Sequence, residues 1–156
     1  RGAGNAIANT GVAAIAAMLA SLTYAHDAAR IAFVAALAAG GSDTVASEIG
    51  KAWGRRTILV PTLAPVPPGT SGAISAEGTA AGLVAALALA AFASVFGLVS
   101  FSAVPFIVVA ATVGSFAESL LGATLEAPGI VNNDVLNFVN TAIAALVVLI
   151  LVEAFQ

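Results

Sequence analysis

The run Thr79-Ala-Ala-Gly-Leu-Val-Ala-Ala-Leu-Ala-Leu-Ala-Ala-Phe-Ala-Ser-Val-Phe-Gly-Leu-Val99 contains no charged side chain, and its reading decides the fold class. A helix that crosses a membrane needs about 20 mostly apolar residues. The run is rich in Ala and Leu and lacks the apolar–polar alternation of a barrel strand. A helix satisfies its own backbone hydrogen bonds in lipid, so a helix is the form the run predicts. Working outward, the same reading predicts five spans: Asn5 to Leu22, Ala28 to Ile49, Ile74 to Val99, Ala103 to Leu125 and Val135 to Phe155. The expected fold is all-α, a polytopic transmembrane helix bundle. It is expected to form a single domain over residues 1–156, with a basic and Pro/Gly-rich loop at 50–73 inside it.

Composition agrees. Hydrophobic residues make up 60% of the 156-residue chain and charged residues 8%, whereas charged residues are about 25% of an average soluble protein. A soluble domain of this length could not hide so much apolar surface. Five Lys and Arg, with a net charge of −3, argue against nucleic acid, because a nucleic-acid binder clusters basic side chains on phosphates. The absence of Cys excludes disulfides and thiolate ligands, and a single His excludes a histidine-rich metal site. The chain starts at Arg1 rather than Met, so it is expected to be a piece of something longer. Its first apolar stretch is broken by Asn5, Asn9 and Thr10 and continues into a full span, unlike a signal peptide.

The loop carries Lys51, Arg55 and Arg56, then Pro61, Pro65, Pro67, Pro68, Gly69 and Gly72. Basic residues flanking a span favour the cytoplasmic side. By alternation, the Arg1 end and the Glu126–Asp134 loop are then cytoplasmic. The His26–Arg30 turn and the C-terminus are outside. Tyr24 and Trp53 read as interfacial anchors, and His26 with Asp27 as a solvated turn. Gly78 and Gly82 have the spacing that lets helices approach closely.

With this topology the polar residues of the spans gather in one layer. Asp43, Ser47 and Glu48 end the second span; Ser75, Glu77 and Thr79 open the third. Ser115, Glu118 and Ser119 lie in the cytoplasmic half of the fourth. Asn133, Asn137 and Asn140 make a stripe at the start of the fifth, and Asn5 and Asn9 open the first. Acids within a span are costly and mark function; Asp43 and Glu118 are the strongest cases. Asp43 and Ser47, four apart, share a helix face. Carboxylates with amide and hydroxyl oxygens are hard ligands suited to Mg2+, which bridges to phosphate oxygens. Nearby Lys and Arg, glycine-loop N–H groups and helix N-termini suit phosphates. An anionic, phosphate-bearing ligand is therefore expected.

These residues also carry a resemblance. Gly41-Ser-Asp-Thr-Val-Ala-Ser-Glu-Ile-Gly-Lys-Ala-Trp-Gly-Arg-Arg56 resembles the first signature of the membrane CTP-dependent lipid kinases and cytidylyltransferases. Ile74-Ser-Ala-Glu-Gly-Thr-Ala-Ala-Gly82 resembles the second. Phe116-Ala-Glu-Ser-Leu120, with Asn132-Asn-Asp134 and Asn137, resembles the third. The closer similarity is to the branch that holds phytyl-phosphate kinase and its prokaryotic relatives. It rests on Ser42-Asp-Thr, Pro65-Val-Pro-Pro-Gly-Thr70, Gly114-Ser-Phe-Ala-Glu-Ser-Leu-Leu-Gly-Ala-Thr124 and Asn137-Phe. Ala8-Asn-Thr-Gly-Val-Ala13 resembles a further motif, with Thr10 in place of its first Gly. Members of that branch usually carry one or two more spans before the position of Asn5.

The resemblance implies phosphoryl transfer from a nucleoside triphosphate, expected to be CTP, to a polyprenyl monophosphate such as phytyl phosphate. It implies Mg2+ as cofactor and an active site on the cytoplasmic side. Asp43, Glu77 and Glu118 would be catalytic, binding the metal or orienting the acceptor. Lys51, Arg55 and Arg56 would hold phosphates, and Pro68, Gly69, Thr70 and Ser71 would close over the nucleotide. Asn133 and Asn137 would bind nucleotide or metal, and Asn9, Ser47 and Glu48 the acceptor. A homodimer is left open. The alternatives are a CDP-lipid-forming cytidylyltransferase and a transporter with a one-sided polar site; the one-sidedness weighs against transport.

Overall fold

A computed structural model describes residues 2–155. Five helices account for most of it: α1 (Ala3–Leu22), α2 (His26–Trp53), α3 (Ala76–Val95), α4 (Val104–Leu121) and α5 (Asn133–Phe155). All five are long and apolar enough to cross a membrane, counting α4 with its flanking turns. The polytopic helical class is as expected. The addition is a short antiparallel ribbon between α2 and α3, β1 (Thr57–Leu59) and β2 (Ala73–Ser75), with Thr57 opposite Ser75. The prolines lie in the loop joining the two strands, where the missing N–H costs no ladder bond.

Helix ends follow local chemistry. The Ser75 side chain caps α3 by accepting from the Gly78 N–H at 3.1 Å. Beyond α3, Gly97 takes a φ of 71°, and the Leu98 N–H reaches back to the Ala93 carbonyl at 2.9 Å. That closure is the glycine-terminated helix stop. Pro105 sits in the first turn of α4, where no intrahelical bond is lost. At its other end α4 widens into a π-turn, Gly122–Glu126. Helix α2 runs four residues past the expected Ile49, to Trp53. At 1.5 Å per residue, its 28 residues extend about 42 Å. That exceeds a hydrocarbon core of about 30 Å, so the Lys51 end projects beyond it.

Helix α2 is the hub. It packs against each of the other four helices, while α1, α5, α4 and α3 follow one another around it. The core is built from small residues: Ala35, Ala36, Ala38, Ala39, Ala86 and Ala110 are fully buried. Many of the large apolar side chains point outward, among them Ile7, Leu22, Val84, Val95 and Ile150. This inversion of a soluble protein is what lipid permits, because lipid tails solvate Leu as well as another helix does, and helices then associate through close backbone approach. At the α2–α3 contact, a Cβ on Gly78 would lie 2.5 Å from the Ala46 carbonyl oxygen, and one on Gly82 would lie 3.0 Å from the Ala46 Cβ. The G-x-x-x-G spacing is therefore a packing feature.

The helix order brings the N-termini of α1, α3 and α5 to the same end as the ribbon and the C-termini of α2 and α4.

Candidate functional site

A cavity of about 510 Å³ opens at that end, walled by all five helices, the ribbon and the 69–72 loop. A volume of this size suits a small-molecule ligand. Its α2 wall is set by helical period: Asp43, Ser47 and Lys51, spaced by four, lie on one face. Helix α4 contributes Ser115, Glu118 and Ser119, the π-turn after it Gly122, and α5 Asn133 and Asn137. Asn5 and Asn9 come from α1.

The carboxyls of Asp43 and Glu118 face one another side chain to side chain. Glu118 is 7% exposed, and its Oε2 has no hydrogen-bond partner among the described residues. Two carboxylates held face to face away from bulk water repel each other, and a cation between them removes that repulsion. Asn9 Oδ1, Ser115 Oγ and Thr57 Oγ1, all on the cavity wall, are likewise buried without a partner among the described residues. A buried polar atom left unmatched is costly, so such a cluster marks a place that a polar ligand completes.

This donor set fits Mg2+. The metal takes one or two carboxylates, keeps several waters and leaves positions for substrate phosphates. Asp43 and Glu118 supply the carboxylates, and Asn and Ser oxygens surround them. No third acid completes the set: no cluster of three or more His, Cys, Asp or Glu suited to a metal occurs among the described residues.

The anion-binding features lie beside it. Lys51 is on the cavity wall, its Nζ 3.1 Å from Glu48 Oε1 in an exposed pair. The loop that follows is held in place by glycine. Gly72 has a φ of +75°, and a Cβ there would lie 2.3 Å from the Ala123 N and 2.4 Å from the Ser119 carbonyl oxygen. Ser71 hydrogen-bonds the Gly122 carbonyl at 3.1 Å and also the Glu126 carboxylate. The loop is thus strapped onto the π-turn of α4, and Gly69 lies beside the Lys51 side chain. The N-terminal turns of α3 and α5, the positive ends of their helix dipoles, reach the same cavity at Ser75 and Asn133.

The structure gathers many of the residues singled out in the sequence: Asp43, Glu118, Ser47, Lys51, Gly69, Thr70, Ser71, Asn9, Asn133 and Asn137 line the cavity. It does not bring Glu77, Glu48, Pro68, Arg55 or Arg56 to the wall. Gly78 and Gly82 must face α2, which turns Ser75 and Thr79 toward the cavity and leaves Glu77 off that face. The trio of Asp43, Glu77 and Glu118 is therefore a pair. Arg55 and Arg56 follow the end of α2 and are exposed.

Ser115, read from the sequence as part of one polar layer with Glu118 and Ser119, also lines the wall, one helical turn from Glu118. Two other wall residues, Glu126 and Thr57, were not singled out. Glu126 enters the wall because the π-turn carries it there, and Thr57 because β1 pairs with β2; neither has a local signature.

The chain was compared with known proteins. The model of a family described as integral membrane protein DUF92 matches residues 1–145. An uncharacterized membrane protein, sll0875, of Synechocystis is 46% identical over 74% of this chain and 45% of its own length. Protein VTE6, chloroplastic, of Arabidopsis thaliana is 38% identical over 78% of this chain and 38% of its own length. An uncharacterized membrane protein, MJ0933, of Methanocaldococcus jannaschii is 31% identical over 92% of this chain and 59% of its own length. The chain thus spans about half the length of these curated relatives. No solved structure matches it. With the family model covering nearly the whole chain, and with the motifs of the phytyl-phosphate kinase branch standing in order along it, the chain belongs to the DUF92 family of integral membrane proteins.

Proposed function

We propose that this protein is a membrane phosphotransferase that moves the γ-phosphoryl group of a nucleoside triphosphate, CTP in the first instance, to a polyprenyl monophosphate such as phytyl phosphate. The observation that carries the reading is the face-to-face pair Asp43 and Glu118 in a cavity that also holds Lys51 and the N-terminal turns of two helices. The resemblance to the phytyl-phosphate kinase branch, and the similarity to chloroplastic VTE6, support it.

The chemistry asks for positioning and charge neutralisation, since phosphoryl transfer has a loose transition state with charge spread over the phosphoryl oxygens. The acceptor monophosphate is already an anion at neutral pH, so its oxygen attacks the γ-phosphorus without a proton-removing base. The bond from the γ-phosphorus to the β–γ bridging oxygen breaks, and the nucleoside diphosphate leaves with that electron pair. The products are the prenyl diphosphate and CDP. Lys51 and the N–H groups of the 69–72 loop would hold phosphate oxygens. Asp43 and Glu118 would hold Mg2+, whose charge would offset that of the phosphates. Asn133 and Asn137, at the start of α5, would orient the nucleotide.

On this reading the site faces the cytoplasm, since Lys51, Arg55 and Arg56 flank the end of a span and basic flanks favour that side. Nucleotide is also supplied from that side.

The test is turnover by the purified protein in detergent with Mg2+, CTP or ATP, and phytyl monophosphate, with products read by mass. Prenyl diphosphate with CDP is the expected result. A CDP-lipid with pyrophosphate would replace the reading with cytidylyl transfer. A folded protein that yields neither would overturn it.

A further inference from the structure

We propose that the inner end of this cavity, between α3 and α4 at Leu83 and Phe116, is a slot that takes the hydrocarbon tail of an amphiphilic phosphate and opens sideways to the bilayer. The inference rests on the phosphate-binding reading of the cavity mouth, and it concerns where the rest of that ligand lies.

The cavity wall is not uniform. Asn9 Oδ1, Thr57 Oγ1, Ser115 Oγ and Glu118 Oε2 lack partners among the described residues. Two other hydroxyls of the wall are already satisfied within the protein. Ser42 Oγ donates to the Gly82 carbonyl at 2.9 Å, and Thr112 Oγ1 donates to the Val108 carbonyl at 2.7 Å. A wall whose hydroxyls are spent internally presents mostly carbon, and it loses nothing when an alkyl chain rather than water fills the space. One cavity that holds both unmatched polar atoms and a stretch of wall whose hydroxyls are spent, next to Leu83 and Phe116, suits an amphiphile.

The inner end also communicates with the lipid. Leu83 and Phe116 both line the cavity, yet they are 40% and 39% exposed. They belong to the outward apolar faces of α3 and α4 that carry Val84, Leu87, Val109 and Val113. The gap lies where packing is thinnest, since α3 and α4 pack less against each other than either does against α2. On the α5 side of the wall, by contrast, Leu136 is 2% exposed. Thr112 stands ten residues before Gly122, about 15 Å along the helix. That depth is half of a hydrocarbon core of about 30 Å. A lipid can therefore keep its tail in the bilayer's own apolar layer while its phosphate reaches Asp43 and Lys51, and the long hydrocarbon need not pass through water.

The experiment labels the protein in detergent with a phytyl monophosphate analogue that carries a diazirine at the end of its tail, and maps the adducts by peptide mass spectrometry. The expected adducts lie on α3 and α4 around Leu83, Thr112 and Phe116, and unlabelled phytyl monophosphate competes them away. Leu83→Trp and Phe116→Trp, which fill the gap, are expected to reduce labelling about tenfold, a discrimination typical of altered fit in an apolar pocket. Phe116→Ala, which opens the gap, serves as the second variant and retains labelling. Competed adducts on α1 or α5 would overturn the slot, as would adducts spread over the whole apolar surface without competition. The turnover assay fails independently. Competed labelling at Leu83 and Phe116 without any product would leave the slot standing and remove the phosphotransferase reading.

Discussion

Asn140 of α5 is fully buried, and its side chain faces the carboxyl of Glu118 on α4. Its Nδ2 also donates to the Ala39 carbonyl of α2 at 3.4 Å. One amide thus stands at the meeting of three helices, behind the carboxylate pair and outside the cavity wall. We expect Asn140→Leu, which keeps the volume and removes the polar contacts, to lower stability by roughly 1–3 kcal/mol. We expect it also to slow turnover by on the order of tenfold to a hundredfold through a misplaced Glu118. Thermal unfolding in detergent and steady-state kinetics of the same sample would check both; unchanged values would remove the positioning role.

Gly114 makes room for that amide. A Cβ at this position would lie 2.5 Å from Asn140 Oδ1 and 2.7 Å from the Asn140 backbone oxygen. Backbone cannot yield as a flexible side chain does, so Gly114→Ala is expected to destabilise by roughly 1–3 kcal/mol, in the range of overpacked cores. The midpoint of thermal unfolding should fall. Gly97→Ala, whose Cβ meets nothing within 4 Å but whose φ is +71°, separates the strain of backbone conformation from the strain of space.

Asp43→Asn and Glu118→Gln are each expected to abolish phosphoryl transfer while leaving the elution profile and melting behaviour of a folded protein. Glu77→Gln is expected to retain activity within about twofold, because an acid off the wall touches neither metal nor phosphate. Loss of activity in Glu77→Gln equal to that in Asp43→Asn would restore the trio and contradict the rotation of α3.

Lys51→Met removes a cation from the wall. The KM for the nucleoside triphosphate is expected to rise roughly tenfold or more, the range for hydrogen bonds to charged groups. Glu48→Gln, which weakens the exposed pair with Lys51, should change KM by about twofold or less. Measuring both against salt concentration would separate a direct phosphate contact from a general surface field.

The five spans and the one-sided polar layer were legible without coordinates, because hydropathy reports the average environment of a segment and lipid demands about 20 apolar residues wherever it is crossed. Pro105 in a first turn and the shared face of Asp43 and Ser47 were equally local matters, settled within one or two turns. What only the tertiary structure decided is how each helix is turned about its own axis and what meets across the gaps. The contact of Gly78 and Gly82 with Ala46 rotates α3 and takes Glu77 off the wall. The pairing of β1 with β2 brings Thr57 in, and the π-turn after α4 brings in Glu126. The approach of α5 to α2 and α4 sets Asn140 behind Glu118. In a membrane the apolar force that selects a helix does not select its rotation, since lipid and helix are alike to Leu. Rotation is chosen by close packing and by the few polar groups that find one another, and those contacts join residues far apart in the chain.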